Sequence, residues 1–443
     1  MDDILRPDRT DGSGSIMRVL WLTREFPDRA DRGDLLYTKG MVGALALANV
    51  QVTVLCFKTD QADPAESITA RAVRTVSLRK AKKRRAISLA SSLPSDAYTL
   101  SSRHFERELI KQLDGTCWDA VIIDYVAMGW VLPCLRRWNK ARSRRPCLVY
   151  VAHNHETSLR PQVAKAYSLT GSKIVNRVAR AALAYDARKY AALEADLLKE
   201  ADLVTAITES DRTLLGRAAL DKPIICLLPG YSGKPHADWV LDEATPRRVV
   251  IVGSFDWVAK QQNLLEFVKI ADPKFSAKRI ELLVVGRAGS TFREAVKRRS
   301  ETCNFTGPVA DVSPYLEHAR MGVMAEQVGG GFKLKLLDYV FAGLPIAAID
   351  HQLAGLPLTP DKEVLAASSV EQLCDLLVRA IDDLPLLNRL RSAALAKCAD
   401  QFNWLSRGRQ LADAIRDVSA LIASSGGPVL DTHQAGSSAT RQA

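Results

Sequence analysis

The sequence predicts an α/β protein made of two doubly wound parallel-sheet domains that face each other across a cleft. Short apolar runs alternate with longer helical patterns along the chain, and a turn-rich loop divides the runs into two series. Runs rich in Val, Ile and Leu with little alternation are typical of strands buried on both faces, as in parallel sheets. Each series is long enough for one doubly wound domain.

The apolar runs set the predicted domain boundaries. A Pro-Gly-rich loop at residues 229–235 and a polar stretch at 242–246 separate the two series. We therefore predict an N-terminal domain at 17–235, a C-terminal domain at 246–404 and a terminal helix at 405–423 that packs back across the domains. Residues 1–16 and 424–443 are expected to be disordered. The predicted strands are residues 18–22, 50–57, 120–124, 148–152, 203–207 and 224–228, then 248–253, 280–285, 321–325 and 345–349.

Composition limits the class of protein. The chain has 443 residues, of which 47% are hydrophobic and 25% charged, an ordinary globular balance. No apolar segment approaches the roughly 18 residues of a membrane span, and the N-terminus lacks the apolar core of a signal peptide. The eight cysteines include no Cys-x-x-Cys pair, which disfavours a zinc or redox motif. Reduced thiols and a cytoplasmic location are expected.

The net charge of +11 is concentrated in three basic runs of the N-terminal half. The first, from Arg71 to Pro94, has eight basic residues and no acid. A charge run is usually a solvated face, and no recognition helix or aromatic platform favours nucleic acid. We favour contact with an anionic phospholipid surface, where Ile87, Leu89 and Leu93 would insert shallowly. The other runs are Arg136, Arg137, Lys140, Arg142, Arg144 and Arg145, and Arg160, Lys165, Lys173, Arg177 and Arg180.

The strongest chemical signal is a glycine–lysine segment from Gly329 to Asp338. Three consecutive glycines let a ligand approach the backbone, and the start of the following helix presents unpaired N–H groups. Together with Lys333 and Lys335 they predict a site for a diphosphate. Asp338 lies near the same helical face and could accept ribose hydroxyls. A flexible turn beside a solvated lysine pair is the alternative interpretation of this segment.

This segment, Gly329 to Pro345, resembles the nucleotide-sugar site of family 4 glycosyltransferases in the subgroup G-G-G-x-[RK]-x-K-x-x-E-x-x-x-x-G-x-P. Other similar segments follow in family order, and the resemblance covers about residues 17–420. It implies a GT-B fold and a retaining, metal-independent hexosyltransferase without a cofactor. The similar segments are Arg18-Val19-Leu20-Trp21-Leu22-Thr23 with Gly33, His153-Asn154-His155-Glu156, 201–208, 252–257, 306–316 and Phe402-Asn403-Trp404.

The resemblance also implies roles for individual residues. Lys335, with Lys333 or Lys260, would bind the diphosphate of a nucleoside diphosphate sugar. His153 would contact the sugar near the reacting carbon, so His153 and Lys335 are the catalytic candidates. The remaining donor-binding candidates are Gly33, Val309 through its backbone, Gly330, Gly331 and Asp338, which would hold the ribose.

The sequence departs from the family pattern in one important place. Many members carry two glutamates eight positions apart, where this chain has Gly330 and Asp338. A catalytically inactive scaffolding subunit and a nucleotide-sugar epimerase on the same fold therefore remain alternatives to the transferase. A metal site at His153 and His155 is disfavoured because alternate residues at a strand end do not readily converge on one ion. The expected acceptor is a lipid-linked saccharide in polysaccharide biosynthesis, with the enzyme peripheral on the inner face of the membrane.

Overall fold

The computed structural model describes residues 16–26, 32–58, 72–140, 142, 144–167, 173–219, 221–233, 239–256, 258–327 and 331–425. The predicted sites Gly329 and Gly330 lie outside these residues, as do most of the two ends that were expected to be disordered. Two parallel sheets with helices on their faces form the molecule, which confirms the predicted fold class.

The N-terminal sheet has seven parallel strands in the order β3-β2-β1-β4-β5-β6-β7. Its central strands are rich in Val, Ile and Leu and are buried throughout, as two-sided helical cover requires. The strands are β1 Arg18–Glu25, β2 Gln51–Phe57, β3 Val73–Leu78, β4 Ala120–Asp124, β5 Cys147–Ala152, β6 Leu203–Ala206 and β7 Ile224–Cys226. The helices are α1 Gly33–Leu47, α2 Ser95–Leu100, α3 Arg103–Gly115, α4 Leu132–Lys140, α5 Glu156–Ala166, α6 Lys173–Glu200 and α7 Glu209–Ala218.

The C-terminal sheet has six parallel strands in the order β10-β9-β8-β11-β12-β13. Its strands are β8 Arg248–Val252, β9 Glu281–Val285, β10 Cys303–Gly307, β11 Met321–Met324, β12 Ile346–Ile349 and β13 Leu365–Ala367. Its helices are α8 Val258–Lys278, α9 Ser290–Lys297, α10 Ser313–Glu317, α11 Leu334–Phe341, α12 Val370–Ala380 and α13 Leu384–Cys398.

Three strands were absent from the sequence prediction. β3 is a half-exposed edge strand inside the first basic run, where charge hides the apolar pattern. β10 and β13 are the two edges of the C-terminal sheet, and their runs are short or polar. No helix in the described part of the chain is long and apolar enough to cross a membrane.

The terminal helix, α14 Trp404–Ser425, packs along α1 of the N-terminal domain. Its apolar residues Leu411, Ile415 and Val418 lie in the same buried cluster as Val19 and Trp21 of β1. Two glycines permit the close approach of the helices: a Cβ on Gly40 would overlap the Trp404 ring, and a Cβ on Gly408 would overlap the Ala44 carbonyl. The terminal helix is thereby held on the N-terminal domain.

We expect Gly408→Ala to lower the free energy of unfolding by about 1–3 kcal/mol, the usual effect of overpacking. The new methyl would meet the α1 backbone, which cannot rotate away. Gly43→Ala is the matched control, because nothing lies within 4 Å of the position its Cβ would take. Alanine should stabilise that helix by up to about 1 kcal/mol. Chemical denaturation of both variants measures the difference, and equal stabilities would contradict this account of the helix contact.

Candidate active site

The predicted site residues converge on the carboxyl ends of the two sheets. Strand order reverses between β1 and β4 in one sheet and between β8 and β11 in the other. Ligands of doubly wound folds bind at such switch points, beyond the carboxyl ends of the strands. Gly33 follows β1 and His153 follows β5, while Gly331, Lys333 and Lys335 follow β11.

The two edges meet at the glycine–lysine segment. A Cβ on Gly331 would overlap the Asn154 side chain and lie 3.3 Å from the His153 carbonyl oxygen. Gly331 has a φ of +69°, a conformation that glycine adopts without strain. On the same side, a Cβ on Gly33 would lie 3.6 Å from Leu334 Cδ1. The structure thus brings predicted residues of the two domains within contact distance.

Lysine side chains gather around one carboxylate on the C-terminal side. Lys335 Nζ donates to Glu326 Oε1 at 2.7 Å, and Lys333 Nζ lies 3.3 Å from Glu326 Oε2. All three side chains are less than one-fifth exposed. Lys333 is the N-cap residue of α11 and Lys335 is its second residue, so both lysines lie at the start of the helix. Positive charge and helix N–H groups therefore coincide, as an anion site requires.

Electrostatic effects within the cluster are strong. Burial lowers the pKa of Lys260, and the neighbouring charge of Lys335 lowers it further. Burial likewise lowers the pKa of Lys333, against the opposing effect of Glu326. Burial alone would raise the pKa of Glu326, but the adjacent lysines hold it far below its usual range. The carboxylate is therefore ionised and offsets part of the positive charge of three lysines.

Glu326 is the member of this charged cluster to which the sequence analysis gave no role. It follows β11 by two residues and precedes Lys335 by nine. Its position in the sequence could have indicated this placement. An acid soon after a buried strand lies at the same sheet edge as the lysines. The pairing itself depends on how the chain between Glu326 and Lys333 folds, which spacing does not reveal.

His153 lies at the head of a buried polar network on the N-terminal side. Its Nε2 is 2.6 Å from Asp124 Oδ1, and the Asp124 side chain is fully buried. Thr38 Oγ1 and Trp21 Nε1 also donate to Asp124, at 2.6 and 3.0 Å. Burial raises the pKa of Asp124, but His153 and these hydrogen bonds outweigh it, so the pKa falls below its ordinary value. An ionised Asp124 fixes the orientation of the imidazole.

Aromatic residues enclose the imidazole of His153. The Tyr37 and Tyr125 rings approach it edge-on, with centroids at 5.5 and 6.0 Å. Tyr125 directly follows β4 and has a φ of +78°, a strained conformation for a residue with a side chain. Arg160 Nη2 donates to the Tyr125 hydroxyl at 2.7 Å. Strain of this kind, about 1–3 kcal/mol, persists where surrounding contacts impose it and is common at functional sites.

Asp338 and Val309 occupy the outer part of the C-terminal edge. Burial raises the pKa of Asp338 to about 7. Within the described part of the chain, no group hydrogen-bonds to its partly exposed carboxylate. Val309 lies in the loop after β10. Together with Val252, it packs against an apolar cluster of the C-terminal domain. Asp338 is thus an available acceptor for hydroxyl groups.

His155 does not share a site with His153. Its Nδ1 lies 2.6 Å from Ser158 Oγ, and its Nε2 is 3.8 Å from Glu194. Glu194 in turn accepts from the backbone N–H groups of Glu156 and Thr157 at the start of α5. The two histidines therefore have separate partners, and His155 anchors the helix that follows the site.

Comparison with known proteins agrees with this geometry. Residues 246–383 match the family described as Glycosyl transferases group 1. No curated protein matches the sequence significantly. Among solved structures, sucrose-phosphate synthase from Thermosynechococcus elongatus is 19% identical with a TM-score of 0.68, covering 91% of this chain and 100% of that one.

Two further structures share the architecture. HepE from Anabaena, solved in complex with UDP and glucose, is 12% identical with a TM-score of 0.60 and covers 90% of this chain and 100% of that one. WaaG, a glycosyltransferase involved in lipopolysaccharide biosynthesis, is 17% identical with a TM-score of 0.58 and covers 90% and 99%. The chain has the GT-B fold, and its C-terminal domain matches the family of group 1 glycosyltransferases.

Proposed function

We propose that this protein transfers a hexosyl group from a nucleoside diphosphate sugar to a hydroxyl acceptor, with retention of anomeric configuration and without a metal ion. One observation carries the proposal: Gly331, two residues before Lys333 of the lysine cluster, lies against Asn154 and the His153 carbonyl group of the other domain. HepE was solved with UDP-glucose and with UDP and glucose, which supports a donor of this class.

On the donor side, the diphosphate would bind Lys335, with Lys333 and Lys260 completing the positive field. Gly331 would offer its backbone N–H, and the resemblance gives Gly330 the same role. Asp338 would accept the ribose hydroxyls, and the Val309 backbone would contact the base. These ammonium groups would stabilise charge on the departing diphosphate, a role that a bound cation plays in other transferases.

On the acceptor side, the imidazole of His153 would hydrogen-bond the donor sugar beside the anomeric carbon. In the reaction, the bond between the anomeric carbon and the diphosphate oxygen breaks, and a bond to the acceptor oxygen forms. The hydroxyl proton of the acceptor passes to the departing diphosphate. Closing the two domains on the donor would exclude water, which would otherwise hydrolyse it.

The acceptor is proposed to be a lipid-linked saccharide used in polysaccharide assembly, at the cytoplasmic face of a membrane. WaaG, a structural neighbour, is involved in lipopolysaccharide biosynthesis. The basic character of the N-terminal domain is consistent with an acceptor presented on an anionic surface.

Product analysis tests the reaction. The purified protein is incubated with a radiolabelled UDP- or GDP-sugar and a membrane extract, and label in the lipid fraction is measured. Transfer to a lipid-extractable product supports the proposal. Conversion of the donor sugar to an isomer without any acceptor would instead indicate an epimerase, and binding without turnover would indicate an inactive subunit.

Asp338 gives the proposed donor site a predicted pH dependence. Because burial raises its pKa to about 7, the free protein loses the carboxylate charge as the pH falls below that value. The ionised form can accept hydrogen bonds from two ribose hydroxyls and is the stronger acceptor, so affinity for a nucleoside diphosphate sugar should rise as the pH increases from 6 to 8. The slope below the pKa should be at most about tenfold per pH unit.

Asp338→Asn should bind more weakly at pH 8 and lose this dependence. Its stability should change in the opposite sense. A carboxyl whose pKa is raised on folding favours the folded state below its unfolded pKa and opposes it as the pH rises through the folded value. Asp338→Asn should therefore match the wild type at pH 4 and be more stable at pH 8. Titration calorimetry between pH 6 and 8 measures the affinity, and denaturation at pH 4 and 8 measures the stability. If Asp338→Asn kept the pH dependence of affinity seen in the wild type, Asp338 would be excluded from the donor site.

A further inference from the structure

A line of exposed apolar side chains runs along the first half of α6. Ile174 is 74% exposed, Val178 65% and Tyr185 47%. At about 100° per residue, these three side chains point within about 40° of one another around the helix axis. Residues 173–186, all of them described, include no buried side chain. This half of a 28-residue helix therefore adds little to the domain core.

Basic residues flank the apolar line on one side. Lys173, Arg177, Arg180 and Arg188 are exposed and lie about 40° to 120° around the helix from Ile174. No acid occurs in α6 before Asp186, which is engaged with the Ser95 backbone N–H and hydroxyl. Apolar and basic residues thus form adjacent stripes, the pattern of helices that lie in a membrane interface.

The apolar line continues onto a second segment of the domain. Lys189 Nζ donates to the Ser88 carbonyl oxygen at 2.7 Å and lies 4.4 Å from the centre of the Tyr185 ring. This bond holds the segment 85–90 against α6, where Ile87 and Leu89 are 52% and 50% exposed. Leu93, expected to insert with them, packs against the core instead. The exposed apolar side chains of α6 and those of the segment 85–90 therefore form one surface.

Three cations of the second basic run are paired with acids elsewhere in the domain. Arg136 pairs with Glu200, Arg142 with Asp114, and Arg145 with Asp202. Within the first run, Lys83 donates to the carbonyl oxygens of Tyr98 and Ser101. These cations are committed to contacts within the domain, which leaves them less available to an anionic surface.

The surface has a defined relation to the candidate active site. α5 begins beside Glu194 of α6, and Tyr167 beyond its other end accepts from Arg180 Nε at 2.6 Å. The two helices are therefore antiparallel, and the start of α5 directly follows the loop that carries His153. At about 1.5 Å per residue, Tyr185 lies roughly 13 Å and Ile174 roughly 30 Å along α6 from the level of Glu194.

We propose that the α6 surface, formed by Ile174, Val178 and Tyr185 with Ile87, Leu89 and the flanking basic residues, docks on an anionic lipid bilayer. The charge favours this occupant, because an apolar stripe beside cations matches acyl chains beneath negative headgroups. Docking would hold the membrane surface, and the acceptors it carries, on the α5–α6 side of the domain that leads to the His153 loop. Its purpose therefore rests on the proposed transferase function, whereas bilayer binding itself does not.

Vesicle sedimentation tests the surface directly. The full chain is mixed with vesicles of phosphatidylcholine alone or with phosphatidylglycerol, at about 0.05 and 0.5 M salt. Preferential binding to the anionic vesicles, weakened by salt, is expected. Ile174→Ser/Val178→Ser should reduce it about tenfold, and Lys173→Ser/Arg177→Ser about 25-fold at low salt, since each cation near the bilayer contributes roughly fivefold.

Leu47→Ser/Val240→Ser is the matched control, since both positions are exposed and neither belongs to α6 or to the segment 85–90. It should bind like the wild type, and all variants should keep the wild-type melting temperature. Absent binding, equal binding to neutral vesicles, or wild-type binding by Ile174→Ser/Val178→Ser would overturn the proposal. So would a concentration-dependent dimer abolished by that variant, which would make the surface a self-contact. UDP binding measured in solution tests the two proposals separately. A protein that binds anionic vesicles but not UDP would contradict the proposed transferase function and leave the docking surface in place.

Discussion

Lys335→Ala is expected to weaken binding of UDP or GDP by about 10- to 150-fold, or about 1.5–3 kcal/mol, the range for hydrogen bonds to charged groups. Lys335 lies at the second residue of α11, near Gly253 at the end of β8, and points into the cluster around Glu326. A diphosphate there would meet the ammonium group and the helix N–H groups together. Removing the lysine removes a full charge from a poorly solvated site.

The variant should remain folded, which makes the measurement interpretable. Glu326 keeps Lys333 at 3.3 Å when Lys335 is lost, so no buried carboxylate is left unpaired. Lys297→Ala, at the exposed end of α9, is the control for loss of one positive charge from the same domain. Calorimetric titration compares the three proteins. Equal affinities of Lys335→Ala and Lys297→Ala for both nucleotides would exclude Lys335 from the site.

Glu326→Gln is expected to change the affinity for UDP or GDP in the opposite direction. The Glu326 carboxylate contacts the two lysines that are proposed to bind the diphosphate, so it opposes an incoming anion. Its neutral isostere should bind UDP or GDP more tightly than the wild type does. A weaker affinity would show instead that the carboxylate is needed to position the lysines.

Residue order and sheet geometry were sufficient to predict which of the candidate residues would lie close together. His153, Lys333 and Lys335 each follow buried apolar runs, and the carboxyl ends of parallel strands share one edge. Their juxtaposition across the cleft then follows from two doubly wound domains facing each other. Gly331 lies against Asn154 for this reason.

Pairings that depend on tertiary contacts could not be predicted. Asp124 is the last residue of an apolar strand, and its three donors come from β1, α1 and the loop after β5. Spacing along the chain gives no indication that these residues meet. The second basic run was equally ambiguous, because its acidic partners, such as Asp202, lie far away in sequence. Exposed charge and paired charge have the same appearance in a sequence.

His153→Ala is expected to lower kcat by about 10²- to 10³-fold, the range for removing one preorganised polar group from a transition-state site. Affinity for UDP should stay at the wild-type value, because UDP lacks the sugar that His153 is proposed to contact. With Nε2 held by Asp124, Nδ1 is the ring nitrogen left for the substrate, and no described residue bonds to it. Initial rates with a labelled donor, together with UDP titration, separate the two effects.

Asp124→Asn distinguishes a positioning role from a contact with the substrate. The amide keeps the shape of the side chain but not its charge, so it holds the imidazole less firmly and changes which nitrogen carries the proton. Activity should fall less than in His153→Ala, and the pH–rate profile should change because the buried Asp124 carboxylate charge is lost. A purely structural role for Asp124 would lower stability, by about 3–5 kcal/mol for a broken buried pair, and leave that profile in place. A wild-type kcat in His153→Ala would remove the imidazole from the reaction and leave the lysine cluster as the whole of the catalytic apparatus.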